Sequence, residues 1–334
     1  EVLKSGVLTE KGGGGPKVLE FEKNFANFVG AKHAVVVASG TAALHTSLLA
    51  AGVGLGDEVI VPSFTFAATA GAVLLTGAKP VFADIDIETY CVKPEAVQNA
   101  ITEKTKAIVP VHMYGLPCDM DQLRAIANEH NILMIEDAAQ AHGAEYRGMK
   151  IGTIGDMTCF SFYAGKNLAT GEGGMITAND EEYAKLSRMI RTHGESRPYW
   201  ISRLGHNYRM LETTAAIGIA QLKKLPKFLE QRRKNAEAFN KGLSMFTGLA
   251  LPKEPEGRRH AWHLYTVRMR GANAGKRNKT VEKLRAKNIQ ASVYYQTPVH
   301  LLPLYRENST PGRGTLLNTE RAARQVFSLP VHPQ

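Results

Sequence analysis

The 334-residue sequence is poor in cysteine, in tryptophan and in long apolar runs. Its three cysteines, Cys91, Cys118 and Cys159, are widely spaced and show no CxxC pattern, which argues against a disulfide framework or a metal site. The longest apolar runs, such as Ala34–Ala38, are far shorter than the ~20 residues that cross a bilayer. No signal-peptide pattern follows Glu1. These absences predict a soluble, cytoplasmic protein with no membrane partner.

Acidic residues are also in deficit, because 41 Lys and Arg stand against 31 Asp and Glu, a net charge of +10. The stretch from Lys253 to Lys287 alone holds eleven basic and three acidic residues. Such a surplus attracts polyanions, including nucleic acid. However, the stretch lacks interleaved aromatics, and no helix-turn-helix, zinc-finger or RNP pattern accompanies it. We therefore expect no nucleic-acid partner and favour a solvated helical face, while attraction of a phosphorylated small molecule stays open.

Short apolar segments alternate with helical segments between His33 and Asn179. The pattern predicts strands at His33–Ala38, Glu58–Val61, Pro80–Asp84, Ala107–His112, Ile132–Ile135 and from Cys159, and helices at Thr41–Ala51, Phe66–Thr76, Pro94–Ile101 and Met120–His130. This alternation is typical of an α/β fold with a mostly parallel sheet covered by helices. Right-handed crossovers then bring the carboxyl ends of the parallel strands to one edge, where ligands bind.

The pattern changes after Asn179 and indicates a smaller α+β domain at the C-terminus. The sequence predicts helices at Asp180–Thr192, at Glu212–Phe246 with a kink at Pro226, and near Lys279–Lys287, together with strands at Leu264–Met269 and Ala291–Tyr295. We place the boundary near Asn235, inside the long helix. Residues 1–235 would then form the large domain with an N-terminal segment, and residues 236–334 the small domain.

Common nucleotide and hydrolase motifs are absent. Gly52–Gly56 follows a helix and has Asp57 where GxGxxG needs its third glycine. Gly271–Lys276 is one residue short of a P-loop and continues with Arg277. No HExxH, GxSxG or EF-hand pattern occurs. Dinucleotide, P-loop, metalloprotease and serine-hydrolase chemistry are therefore unsupported.

Polar residues follow three of the predicted strands. Ser39-Gly40-Thr41 opens a helix, where the free N–H groups of Thr41 and Ala42 would suit a phosphate, although a simple cap explains the serine equally well. Asp137 follows a buried strand, where a carboxylate needs a cation such as a metal or a protonated ring nitrogen, unless it caps the next segment.

Lys166 follows a strand of alternating aromatics and precedes Gly171, Gly173 and Gly174. A lysine in such a place is commonly a surface residue, but a partly desolvated lysine forms an imine with a carbonyl. An anion site, a strand-end aspartate and an amine are together what pyridoxal phosphate requires. The combination therefore favours that cofactor.

Six segments, taken in their order along the chain, resemble one family. The chain is similar to the sugar aminotransferases of the DegT/DnrJ/StrS type, which are fold-type-I pyridoxal-phosphate enzymes. The similarity runs from about Gly15 to the end and is carried by Gly15–Glu22, Ser39–Leu44, Asp57–Phe66, Glu136–Gly143, Lys166–Gly174 and Asn207–Met210. The resemblance implies a large domain with a mostly parallel seven-stranded sheet covered by helices, and a smaller C-terminal α+β domain.

The resemblance also implies roles for individual residues. Lys166 would form the Schiff base and shuttle a proton, and Asp137 would keep the pyridine nitrogen protonated. Gln140 would bind the ring oxygen, Phe66 would stack on the ring, and Ala139 would line the same pocket. The phosphate would bind Gly40, Thr41, Ala42, Ser161 and, from the neighbouring subunit, Asn207. His193 and His300 stand where the family often has substrate contacts, although we favour a loop histidine with no specific role for each.

The family's chemistry implies a homodimer with its sites at the interface. The amino group would pass from an amino acid, glutamate in most of the family, to a keto-sugar on a nucleoside diphosphate, in amino-sugar and polysaccharide biosynthesis. A cyclitol or another ketone as substrate, or a non-catalytic regulatory homologue, are the alternatives, and the retained Asp137, Lys166 and Asn207 argue against the last. A lysine at 166 disfavours the dehydratase branch, which has histidine there. The family continues through another helix after the segment that ends at Gln334, so we expect a shortened C-terminus.

Overall fold

The computed structural model describes residues 1–10, 14–309 and 315–332. The expected shortened C-terminus concerns Gln334, which lies outside the described residues. The helices are α1 (Val2–Ser5), α2 (Pro16–Val29), α3 (Gly40–Ala50), α4 (Ala67–Leu75), α5 (Pro94–Ala100), α6 (Met120–Glu129), α7 (Glu181–Arg191), α8 (Glu212–Leu243), α9 (Ala274–Arg285), α10 (Pro303–Asn308) and α11 (Leu317–Gln325), with 3-10 turns at Met113–Gly115 and Val299–Leu301. Among the described residues, no helix has both the length and the apolar character that crossing a membrane requires.

The strands of the described residues fall into one large sheet and three small ones. They are β1 (His33–Val37), β2 (Glu58–Pro62), β3 (Lys79–Ala83), β4 (Thr105–Ile108), β5 (Leu133–Asp137), β6 (Glu145–Tyr146), β7 (Met149–Lys150), β8 (Met157–Ser161), β9 (Gly174–Ala178), β10 (Glu195–Arg197), β11 (Trp200–Ile201), β12 (Leu249–Ala250), β13 (Arg258–Arg259), β14 (Tyr265–Met269) and β15 (Val326–Leu329). The large sheet has seven strands in the order β1-β9-β8-β5-β4-β2-β3. The two pairs that include β9 are antiparallel and the other four pairs are parallel, so the predicted mostly parallel seven-stranded sheet is confirmed.

Continuous apolar strands form this sheet because both of its faces are buried. Val36 and Ile60 belong to the apolar cluster on one face, and Val35 and Val61, which point the opposite way, belong to the cluster on the other. Alternate side chains of one strand point to opposite faces, so a strand covered on both sides needs apolar side chains at consecutive positions. Because β1, β2, β5 and β8 run in the same direction, their carboxyl ends share one edge of the sheet.

Proline explains one difference from the predicted strands. The predicted Ala107–His112 strand ends at Ile108 in β4, and beyond it only Val111 makes an isolated bridge, to Asp137. Pro110 has no N–H to give to a ladder, although its carbonyl accepts from Asp137 N at 2.9 Å. In α8, by contrast, the helix runs through Pro226; the kink stays a prediction.

The C-terminal part contains an antiparallel sheet, β12-β14-β15, over a separate apolar cluster that includes Trp262, Tyr265 and Phe327. The predicted strand Ala291–Tyr295 is wrong: only Ser292 makes a bridge, to Ser328. The missed strand β15 occupies the position beside β14 and pairs with it from Tyr265 to Arg268. The predicted boundary near Asn235 falls within α8 and remains a prediction.

Candidate active site

The start of helix α3 forms a cradle of backbone N–H groups. Ser39 caps the helix and accepts from Ala42 N at 3.1 Å, while the N–H groups of the first turn have no intrahelical acceptor. A Cβ at Gly40 would lie 2.7 Å from Ser161 Cβ, so only glycine lets the helix start lie directly against the end of β8. Thr41 is exposed beside it. A helix N-terminus with two adjacent hydroxyls suits a phosphate group.

A second close approach connects this cradle with the glycine-rich turn after Lys166. Gly174 begins β9 and is paired with Ser161 across the sheet. A side chain at Gly174 would collide with the backbone carbonyl of Ser39. The glycine therefore brings the lysine-bearing loop and the start of α3 to the same edge of the sheet.

Asp137 is the last residue of β5, and its side chain is buried at 6% exposure. Its Oδ2 accepts from the Thr69 hydroxyl at 2.8 Å, and its Oδ1 accepts from Ala139 N at 3.1 Å. Two neutral donors leave acceptor positions on the carboxylate unused, and a buried carboxylate needs a cation. This donor set fits a carboxylate that holds a protonated ring nitrogen.

Lys166 lies within electrostatic reach of Asp137. Burial lowers the pKa of Lys166 because it penalises the ammonium, and the negative charge of Asp137 partly opposes this effect. A lysine that loses its proton more readily than a solvated one provides a neutral amine, the form that attacks a carbonyl. The pair therefore combines a nucleophile with a charge partner.

Gln140 lies three residues after Asp137 and is buried. Its Oε1 accepts from Tyr114 N at 2.7 Å, and its Nε2 donates to the Tyr295 hydroxyl at 3.3 Å. Phe66 precedes α4, is 60% exposed, and its ring lies 6.1 Å from that of Tyr295 at an angle of 37°. An exposed aromatic at this edge is available to stack on a ligand.

Two histidines, the buried His142 and the half-buried His263, lie within electrostatic reach of the lysine. Burial, reinforced by the positive charge of Lys166, lowers the pKa of His142 to about 3. The same two causes, in the same order, lower the pKa of His263 well below its usual range. Both rings are therefore neutral at neutral pH and add no positive charge beside Lys166.

The structure places the remaining predicted residues further out. Asn207 and His193 are exposed, although Asn207 precedes Tyr208, whose carbonyl accepts from Ala38 N at 2.8 Å beside the start of α3. His300 has its Nδ1 2.6 Å from the hydroxyl of Ser63, which follows β2. The site thus brings together Asp137, Lys166, Gln140 and the α3 cradle, and the roles of Asn207, His193 and His300 stay predictions.

Sequence reasoning missed two residues that contact the site. Thr69 follows Phe66, the N-cap residue of α4, by three positions and so lies in the first turn of that helix, a signal that was present in the sequence. Tyr295 has no such signal, because it lies 155 residues from Gln140 along the chain. Its place depends on how the C-terminal part folds back.

The sequence profile of the DegT/DnrJ/EryC1/StrS aminotransferase family matches residues 1–334. The chain belongs to this family. The predictions of this family, of its fold class and of an aminotransferase are therefore confirmed.

Individual family members are similar over most of their length. GDP-perosamine synthase of Caulobacter vibrioides is 41% identical over 94% of this chain and 85% of its own. The crystal structure of DesV from S. venezuelae is 40% identical, with a TM-score of 0.93 over 99% of this chain and 87% of that one. Spr1654 from Streptococcus pneumoniae, in its PLP form, is 30% identical, with a TM-score of 0.92 over 99% and 89%. Similarity therefore extends to a family member with pyridoxal phosphate.

Proposed function

We propose that the protein transfers an amino group from glutamate to the keto group of a sugar carried on a nucleoside diphosphate, with pyridoxal phosphate as cofactor. The juxtaposition of the desolvated Lys166 with the buried Asp137, beside the α3 cradle, carries this proposal. Similarity to GDP-perosamine synthase supports a nucleotide sugar as acceptor. The net charge of +10 also suits a diphosphate. A cytoplasmic location belongs to the same proposal.

Pyridoxal phosphate, when bound, supplies an aldehyde that accepts amino groups and a ring that takes up electrons. Asp137 would hold the proton on the ring nitrogen, since its two hydrogen bonds already orient the carboxylate. Lys166 Nζ would bind the aldehyde carbon and move a proton to and from the substrate carbon.

The other residues would bind and orient. The N–H groups of Gly40, Thr41 and Ala42 and the hydroxyls of Thr41 and Ser161 would bind the phosphate, together with the partner subunit's Asn207. Gln140 would donate to the ring oxygen, Ala139 would line the pocket, and Phe66 would cover the ring. His193 and His300 are assigned to the substrate side.

The amino-acceptor class is testable with the purified protein and pyridoxal phosphate. Glutamate should bleach the visible band of the holoenzyme with release of 2-oxoglutarate, and adding a nucleotide-linked keto-sugar should restore the band as the amino-sugar forms. A diphosphate held by basic residues contributes about 3 kcal/mol, so kcat/KM should exceed that for the free keto-sugar by about a hundredfold. Preference for a cyclitol ketone would contradict a nucleotide sugar as the acceptor but would leave amino transfer standing. Failure to bleach would contradict amino transfer, as expected of a regulatory homologue.

The proposed homodimer rests on an exposed apolar surface, the hairpin of β10 and β11 with the following turn. This surface exposes large parts of four apolar side chains: Tyr199, Trp200, Ile201 and Leu204. Contiguous exposed apolar residues mark protein contacts. Asn207 follows the same turn and is exposed, so a second copy seated here would receive its side chain.

The oligomeric state provides a direct test. Sedimentation of the purified protein should give twice the chain mass of 36.4 kDa. Trp200→Glu places a charge in the apolar contact and should raise the dimer dissociation constant by at least about tenfold. Leu55→Glu is the control, since Leu55 is 93% exposed on a turn between α3 and β2. A monomer at micromolar concentration would contradict both the dimer and the shared role of Asn207.

A further inference from the structure

The side-chain amide of Gln140 is held from two sides. The backbone N–H of Tyr114 donates to Oε1 at 2.7 Å, and Nε2 lies 3.3 Å from the Tyr295 hydroxyl. A backbone N–H can only donate, so the atom that faces Tyr114 must be the amide oxygen. The amide therefore has one orientation, and Tyr295 Oη must accept from Nε2.

Tyr295 is half-buried and lies beside Phe66, the exposed aromatic at this edge of the sheet. Its ring lies 6.1 Å from the ring of Phe66 and 6.4 Å from that of Phe64. Burial, and to a smaller extent the negative charge of Asp137, raise the pKa of the Tyr295 hydroxyl. Tyr295 thus belongs to the surroundings of Asp137 and is a neutral phenol throughout the working range of pH.

We propose that Tyr295 is a positioning residue, whose hydroxyl fixes the Gln140 amide so that the second Nε2–H faces the cofactor cavity. The inference rests on the proposed function, because the acceptor for that second proton is an oxygen of bound pyridoxal phosphate. An amide nitrogen has two protons. Tyr295 takes one, and the other is left for the ligand.

Loss of the hydroxyl has a defined consequence for the bound group. With phenylalanine at 295, the amide keeps only the bond from Tyr114 and is free to turn about it. The ring oxygen then loses a donor for part of the time. A donor stabilises a negatively charged oxygen, so its loss raises the apparent pKa of the bound cofactor.

The test compares four variants of the holoenzyme. Tyr295→Phe should move the pH midpoint of the visible band upward by about half a pH unit and raise the dissociation constant for pyridoxal phosphate about threefold, as expected for one hydrogen bond. Gln140→Ala should shift the midpoint at least as far, and Tyr295→Phe should add nothing in the Gln140→Ala background, because the two act as one unit.

Tyr294→Phe is the matched control, a change of the same size one residue away. Tyr294 is 39% exposed. Its backbone carbonyl accepts a hydrogen bond from the Tyr114 hydroxyl, and this bond survives the substitution because it does not involve the Tyr294 side chain. Its midpoint should equal that of the wild type.

Three results would overturn the proposal. They are an unshifted midpoint in Tyr295→Phe, an equal shift in Tyr294→Phe, or full additivity with Gln140→Ala. In each case the wild-type protein still binds the cofactor and is bleached by glutamate, so the proposed function stands. A wild-type protein that binds no pyridoxal phosphate would instead overturn both.

Discussion

Replacing Lys166 with alanine should lower the rate of amino transfer by at least about a thousandfold while the protein stays folded. Alanine has no amine to bind the cofactor or to move the proton at the substrate carbon. The backbone bond from residue 166 to Tyr163 O, 2.8 Å long, does not depend on the side chain. Circular dichroism should therefore be unchanged, whereas glutamate should no longer bleach the visible band.

Two further variants separate chemistry from charge. Lys166→Arg keeps the positive charge facing Asp137 but supplies no neutral amine, because guanidinium stays protonated, so it should be as inactive as Lys166→Ala. Lys279→Ala removes an exposed lysine of α9 and should keep full activity. Amino exchange with glutamate in Lys166→Ala, at a rate within tenfold of wild type, would show that the nucleophile has been wrongly assigned.

Replacing Asp137 with asparagine should lower kcat/KM by about a hundredfold or more, since the site loses a preorganised charge in a buried position. Asparagine has the same shape, and its oxygen still accepts from Ala139 N. It has no charge to hold a proton on a ring nitrogen. The pKa of Lys166 should fall further, because Asp137 is the group that raises it.

Thr69→Val is the matched comparison for Asp137→Asn. It removes the hydroxyl that donates to Asp137 Oδ2 and leaves the carboxylate in place. One hydrogen bond to a charged group contributes about 1.5–3 kcal/mol, so kcat/KM should fall about tenfold to a hundredfold. Activity of Asp137→Asn within threefold of wild type would contradict the charge partner. Equal losses in the two variants would show that orientation, rather than charge, is what Asp137 supplies.

The local sequence pattern predicted the central sheet well, because strands that are buried on both faces are continuous apolar runs in the sequence. The run of apolar residues at His33–Val37 became β1, and Glu58–Pro62 became β2. The same reasoning failed at Ala291–Tyr295, where an equally apolar run makes one bridge. Ser292 and Ser328 exchange backbone hydrogen bonds on the outer edge of β15, and beyond this bridge the segment makes tertiary contacts instead, such as that of Tyr295 with Gln140.

The sequence by itself determined which groups reach the ligand edge from the parallel strands. Asp137 and Ser161 end β5 and β8, and Thr41 lies in the first turn of the helix after β1, so their positions follow from strand direction alone. Only the tertiary structure decided how those groups are supported. Tyr295 reaches Gln140 because the C-terminal part packs against the edge, a contact between segments far apart in the chain that no local periodicity encodes.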